Sequence, residues 1–150
     1  MSQTFRETKT RPHFRNTYSR DETMVMVEQK EEIELRFPEF SRYGRKFEKA
    51  IGVVLGGGVK EARFLPSGRR LFTVVGNIGD EFIDPEKPYC SCSHFFFRVL
   101  NGRDETCYHL LSYNIASKTS RVDVTEFSDE EYRSVIGALV RDVLEAIDRS

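Results

Sequence analysis

Tryptophan is absent from this 150-residue chain, and cysteine and histidine occur three times each. The aromatic bulk of any core therefore falls to twelve phenylalanines and six tyrosines. No stretch approaches the roughly 20 apolar residues that cross a bilayer, and residues 1–20 lack the apolar centre of a secretory signal. The expectation is an intracellular protein, cytoplasmic if prokaryotic or nuclear if eukaryotic, with no membrane partner. Three cysteines cannot all pair, and in a reducing compartment closely spaced cysteines point to metal before crosslinks. Net charge is also scarce, at -1, so no single-sign field dominates. With 39% hydrophobic content, the chain can bury one core of its own and leaves little for a second full domain.

The scarce residues are concentrated. Cys90-Ser91-Cys92, a gap of fourteen residues, then Cys107-Tyr108-His109 supply three thiols and an imidazole, one complete tetrahedral set for zinc. Metal–ligand lengths of about 2.0 to 2.3 Å put neighbouring donor atoms roughly 3.5 to 4 Å apart. Neither a strand nor a helix brings residues i and i+2 together that way. The spacing predicts a Cys-Ser-Cys turn leaving a strand, and Cys107 and His109 in the first turn of a helix, with the segment between folding back. His94 stands two residues past Cys92 and His13 lies in the basic N-terminal stretch, which makes His109 the better fourth donor. The alternative is three buried thiols packed in a core, with His109 capping a helix.

A closed set of three cysteines and one histidine leaves no coordination position for an activated water. No Ser-His-Asp arrangement can be assembled from the remaining histidines. The sequence therefore predicts one structural zinc, no catalysis and no small-molecule substrate.

Four stretches organise the chain. Residues 1–20 read as a mobile basic tail, with Arg6, Lys9, Arg11, Arg15 and Arg20 against Glu7. Residues 21–58 read as helical: Ile33, Leu35 and Phe37 alternate as in a strand, but the reading preferred is one helix over 22–35, whose stripe is Met24, Val27, Glu31 and Leu35, ending near Pro38. A second, from Ser41 to Leu55, has Tyr43, Phe47, Ala50, Ile51 and Val54 on its apolar face. Gly56-Gly57-Gly58 ends that helix; following a helix, with no Gly-Lys-Ser/Thr after it, it is not a phosphate loop. Residues 59–119 form the zinc-binding unit. Strands Val59–Leu65 and Arg70–Val75 meet at Pro66-Ser67-Gly68, and a third strand includes Glu81–Ile83. A short helix over Ser93–Leu100 is capped by Ser93 and closed by Asn101-Gly102, with at least one and more plausibly two of Phe95, Phe96 and Phe97 in the core. A further helix spans Cys107–Ser117.

Residues 120–150 read as an amphipathic helix opened by a Ser128/Glu131 capping box, with a stripe of Tyr132, Val135, Ile136, Leu139, Val143 and Ile147. The stripe covers the small domain, or part of it, with Val140 and Leu144, docks on a partner protein. From Asp123 onward eight acids face three arginines, so the body before it carries the excess of bases. Arg42, Arg45, Lys46 and Lys49 make one basic edge, and Lys60, Arg63, Arg69 and Arg70 decorate the adjoining hairpin. These eight are the candidates for salt-sensitive contact with single- or double-stranded DNA, against the alternative of a solvated surface.

The pattern Cys90-x-Cys92 to Cys107-x-His109 resembles the SWIM zinc-finger signature. Tyr89 to Cys92, the run Phe95–Phe97 with Val99-Leu100, Cys107 to Leu111, and Pro66-Ser67-Gly68-Arg69-Arg70 upstream are similar to the short stand-alone SWIM proteins of Shu-type recombination complexes. The likeness covers about residues 59–117 and departs at Ser112, where that group usually carries alanine. It implies an α+β fold, a small zinc-stabilised domain with a hairpin or three-stranded sheet plus helices, flanked by an N-terminal helix and a long C-terminal amphipathic one. It also implies an accessory role in homologous recombination and a RecA-family recombinase paralogue as partner. The competing reading is a zinc-stabilised DNA-binding or adaptor module outside recombination.

Overall fold

A computed structural model describes residues 20–149. The tail expected over 1–20 thus lies outside the described residues except for Arg20, the first residue of α1. The fold is α+β. Helix α1 (Arg20–Arg36) and a 3-10 turn (Pro38–Tyr43) lead into α2 (Arg45–Leu55), followed by β1 (Val59–Leu65), β2 (Arg70–Val75), β3 (Asp80–Asp84) and β4 (Tyr89–Cys90). A π-helical turn (Phe95–Val99), α3 (Tyr108–Lys118), β5 (Asp123–Ser128), a second 3-10 turn (Asp129–Glu131) and α4 (Tyr132–Arg149) complete it. No described helix is long and apolar enough to cross a membrane.

The sheet has five strands in the order β4-β3-β2-β1-β5, not the three expected. Strands β1 to β4 form an antiparallel meander, and β5 lies parallel to β1, with Lys60 opposite Asp123 and Phe64 opposite Phe127. The stretch 120–150 therefore contributes a strand as well as a helix. Side chains on a strand alternate between faces, and here both faces are covered. Val59, Phe72, Val74, Ile83 and Cys90 meet α2 and α3 in the larger core, which also holds Ile33 and Phe37. Ala62, Phe64, Leu71 and Phe127 meet Val135, Ala138 and Tyr132 of α4 on the other face. Burial of two faces by opposite helix layers is what sets the register of β1.

Several local expectations are corrected. The helix expected from Ser41 is broken at Gly44, whose φ of 54° is open to glycine and strained for other residues. Its apolar face continues across the break, because Tyr43 packs beside the buried Phe47, Ala50, Ile51 and Val54. In α1 the expected stripe faces solvent: Met24 and Val27 are exposed and Leu35 is 82% exposed, whereas Ile33 and Phe37 are buried. The segment joins the larger core through Ile33 near the end of α1 and Phe37 just after it. Of the phenylalanine run, Phe95 is buried while Phe96 and Phe97 are each 62% exposed. The cap of that turn is also different, since the Phe95 N–H donates to Cys92 Sγ at 3.3 Å. The capping box of Ser128 and Glu131 is present and leads directly into α4. On α4, Val135, Ala138 and Leu139 are buried, while Ile147 of the expected stripe is exposed, as are Val140 and Leu144.

Candidate metal centre

Cys90 ends β4, Cys92 follows two residues later, Cys107 is the N-cap residue of α3 and His109 lies in its first turn. Their three sulfurs and one imidazole nitrogen all lie within 4.8 Å of one another, and all four residues are buried. Both ring nitrogens of His109 are without a hydrogen-bond partner. A buried imidazole with two orphaned nitrogens is costly unless a ligand takes one of them. The donor types, their convergence and the unsatisfied imidazole fit one structural zinc ion. Zinc would supply fold-stabilising ligation there, with no open position for substrate.

The three thiols lie close enough to perturb one another. Bonds from Cys90 and Cys92 lower the Cys107 thiol to about 4, helped by the backbone N–H groups of Leu110 and His109 and opposed by burial. The Cys90 thiol is pushed up, chiefly because it is bonded to Cys107 and then to Cys92. A thiolate at the start of a helix is a ready metal donor, because the unpaired helix N–H groups stabilise its charge.

The Cys-Ser-Cys turn is tied to β3. Ser91 N donates to Phe82 O at 2.9 Å, Phe82 N donates to Ser91 Oγ at 2.9 Å, and Ser91 Oγ donates to Glu81 Oε2 at 2.6 Å. Burial pushes the Glu81 carboxyl up, while the Ser91 bond and the His109 imidazole work against that rise. The Tyr108 ring lies 3.9 Å from the His109 ring, centroid to centroid, and Lys49 Nζ sits 4.2 Å from the tyrosine ring centre. Burial, then the nearby Cys92, pushes the Tyr108 hydroxyl above its ordinary range.

The basic edge of α2 is also brought to this centre. Lys46 Nζ lies 2.5 Å from Asp104 Oδ2 and donates to Thr106 O at 2.9 Å, immediately before Cys107. Asp104 also holds His94 Nε2 at 2.8 Å, so His94 is bound to a carboxylate outside the ligand set. Arg42 pairs with Glu105 at 2.8 Å, and Tyr43 Oη donates to the same carboxylate. The end of the excursion that precedes Cys107 is thus fastened to α2 and the turn before it, and His94 at its start is tied to Asp104 at that end. Among the other candidates for DNA, Arg63 and Arg70 clamp the Glu61 carboxylate, whose side chain is 1% exposed. Arg69 lies over the Tyr132 ring, and Arg45 is exposed. The acids that engage Lys46 and Arg42 lie about sixty residues away and gave no local signal in the sequence.

No family model and no solved structure matches the chain. Over 75 residues it is 40% identical to the zinc finger SWIM domain-containing protein 7 homolog of Dictyostelium discoideum. That likeness supports membership of the SWIM zinc-finger family. The aligned stretch is 49% of this chain and 48% of its relative, so the chain spans about half the length of the curated relative it matches. Ser112, the departure from the usual alanine, is fully buried, and its hydroxyl donates to Tyr108 O at 2.7 Å. Bonding back to the preceding turn lets serine occupy an alanine-sized slot without a stranded polar atom.

Proposed function

We propose that this zinc-binding SWIM protein is a non-catalytic accessory factor in homologous recombination and DNA repair, binding a RecA-family recombinase paralogue. One observation carries the partner reading. Two groups among the exposed large apolar side chains bear on it: Phe96, Phe97 and Leu100 on and just after the π-helical turn next to the centre, and Val140, Leu144 and Ile147 on α4. Phe96, Phe97 and Ile147 also line one cavity of about 590 Å³ that reaches the ligand residues. Exposed apolar groups gathered around a concavity mark a protein-binding surface more than a solvated one. The closed, buried donor set supports a scaffold role for the metal. The likeness of Tyr89–Cys92, Phe95–Leu100 and Cys107–Leu111 to Shu-type SWIM proteins supports the choice of partner.

DNA contact is the weaker part of the proposal, because Lys46, Arg63 and Arg70 already neutralise carboxylates. Recovery of the tagged full chain from native extract should bring down a RecA-type ATPase. Val140→Asp with Leu144→Asp should lose it while keeping zinc content and melting temperature. Reproducible absence of such an ATPase from the unaltered protein would refute the recombination reading and leave a zinc-stabilised adaptor of another complex.

A further inference from the structure

We propose that Glu81 is the acceptor that orients His109 in the zinc-loaded protein, taking the Nε2–H while Nδ1 faces the metal. Zinc can use one imidazole nitrogen, and the other must then find an acceptor or remain a stranded buried donor. Both His109 nitrogens are buried without a partner, so the acceptor must come from the immediate surroundings. Glu81 is the carboxylate in that position. It lies two residues before Ile83 on β3, and Ile83 is opposite Cys90, so alternation puts the Glu81 side chain on the ligand face of the sheet.

Gly76 shows how near the two groups are. A Cβ at that position would stand 3.2 Å from His109 Nε2 and 3.5 Å from Glu81 Cγ, so the ring nitrogen and the acid's stem border one small space that glycine leaves open. The rival acceptor is Gly79 O, 2.6 Å from the same point, but it is a neutral carbonyl that already accepts from Gly76 N at 3.0 Å, and a carboxylate is the stronger acceptor. Among the described residues the Glu81 carboxylate receives one hydrogen bond, from Ser91 to Oε2. Its capacity to accept another is therefore intact. One β3 side chain would then tie both halves of the centre, the Cys90–Cys92 turn through Ser91 and the α3 half through His109. Histidine ligands in zinc sites commonly donate their second N–H to a carboxylate, which fixes the tautomer and strengthens the donor.

The test is nitrogen-15 NMR of the imidazole in the full zinc-loaded chain, with zinc affinity measured by chelator competition. The proposal expects His109 protonated at Nε2, with a slowly exchanging proton that exchanges faster in Glu81→Gln. It expects zinc affinity to fall about tenfold in that nearly isosteric variant. Ser91→Ala separates a purely structural role, since it removes the Ser91 bond and leaves Glu81 facing the ring. Its imidazole signals should keep the Nε2–H pattern. Protonation at Nδ1, an Nε2–H unchanged by Glu81→Gln, or equal zinc loss and equal imidazole shifts in the two variants would overturn the proposal.

Discussion

Lys46→Met should loosen the metal centre although Lys46 touches no ligand atom. The substitution keeps the aliphatic stem and removes the pair with Asp104 at 2.5 Å and the bond to Thr106 O at 2.9 Å, along with a longer contact of Lys46 Nζ over the Tyr43 ring at 5.6 Å. Bonds to charged groups are worth about 1.5 to 3 kcal/mol each when well shielded. The Lys46 and Asp104 side chains are 21% and 24% exposed, so screening lowers that value, and about 2 kcal/mol for the pair of bonds is a reasonable net loss. That is roughly a thirtyfold change in an equilibrium constant and, for a chain of this size, a fall of about 4 to 8 °C in melting temperature. Because Thr106 adjoins Cys107, zinc should also transfer to a chromogenic chelator faster from the variant. Arg45→Met, on the exposed side of the same helix, is the control. Asp104→Asn should add less on top of Lys46→Met than it costs alone, since both remove the Lys46–Asp104 pair and only the Asp104 contacts to His94 and the Glu105 N–H are further weakened. The Asp104 carboxyl is held well below its ordinary range, first by Lys46 and also by His94 and the Glu105 N–H, against the effect of burial. A carboxyl with a lowered folded-state value contributes fully above its unfolded value of about 3.9 and loses that contribution as pH falls toward the folded value. The difference between variant and parent should therefore be constant from about pH 6 to 8 and shrink below about pH 4. Equal zinc release and melting in Lys46→Met and Arg45→Met would refute the assignment of Lys46 to the centre.

Metal analysis should find one zinc per chain, and Cys107→Ser or chelation should lower the melting temperature sharply, because ligation energy in a structural site is folding energy; unchanged stability after complete metal removal would contradict this. Arg63→Met with Arg70→Met should cost about 3 kcal/mol in denaturant unfolding by stranding the buried Glu61 carboxylate, and adding Glu61→Gln should recover most of it. Ser112→Ala should change stability by less than about 1 kcal/mol, since donor and slot disappear together, whereas Ser112→Val should overpack a fully buried site and cost about 1 to 3 kcal/mol.

The ligand set was legible in the sequence because four scarce residues at tight spacing have few other uses, and the strand and helix that present them carry ordinary signals. Strands β1 and β2 were legible to the residue, since apolar and turn residues bound them cleanly. Strand β5 was not, for a physical reason. Apart from half-buried Phe127 its residues are exposed, so hydrogen bonds to β1 hold it as a strand and hydrophobic alternation hardly marks it. Of the phenylalanine run one residue, Phe95, is in the core as the minimum required, and the second expected there is not, because the π-helical turn carries Phe96 and Phe97 outward and composition gives no sign of that turn. Helical spacing grouped Arg45, Lys46 and Lys49 on α2, but Arg42 lies in the 3-10 turn before the break at Gly44. The engagement of Lys46 and Arg42 with Asp104 and Glu105 depends on how the chain folds back, which local pattern cannot express.

The parallel pairing of β1 with β5 also sets an order of assembly. The layer holding α2, the meander and α3 is built from neighbouring segments, so its contacts can close as the chain is synthesised. Phe64, by contrast, must wait for Phe127 and α4 before its side of the sheet is covered. Until then the outer edge of β1 is an open template for other strands. Folding from the ribosome should therefore proceed in two stages, with the metal-binding layer closing first and the last 28 residues (123–150) sealing the sheet.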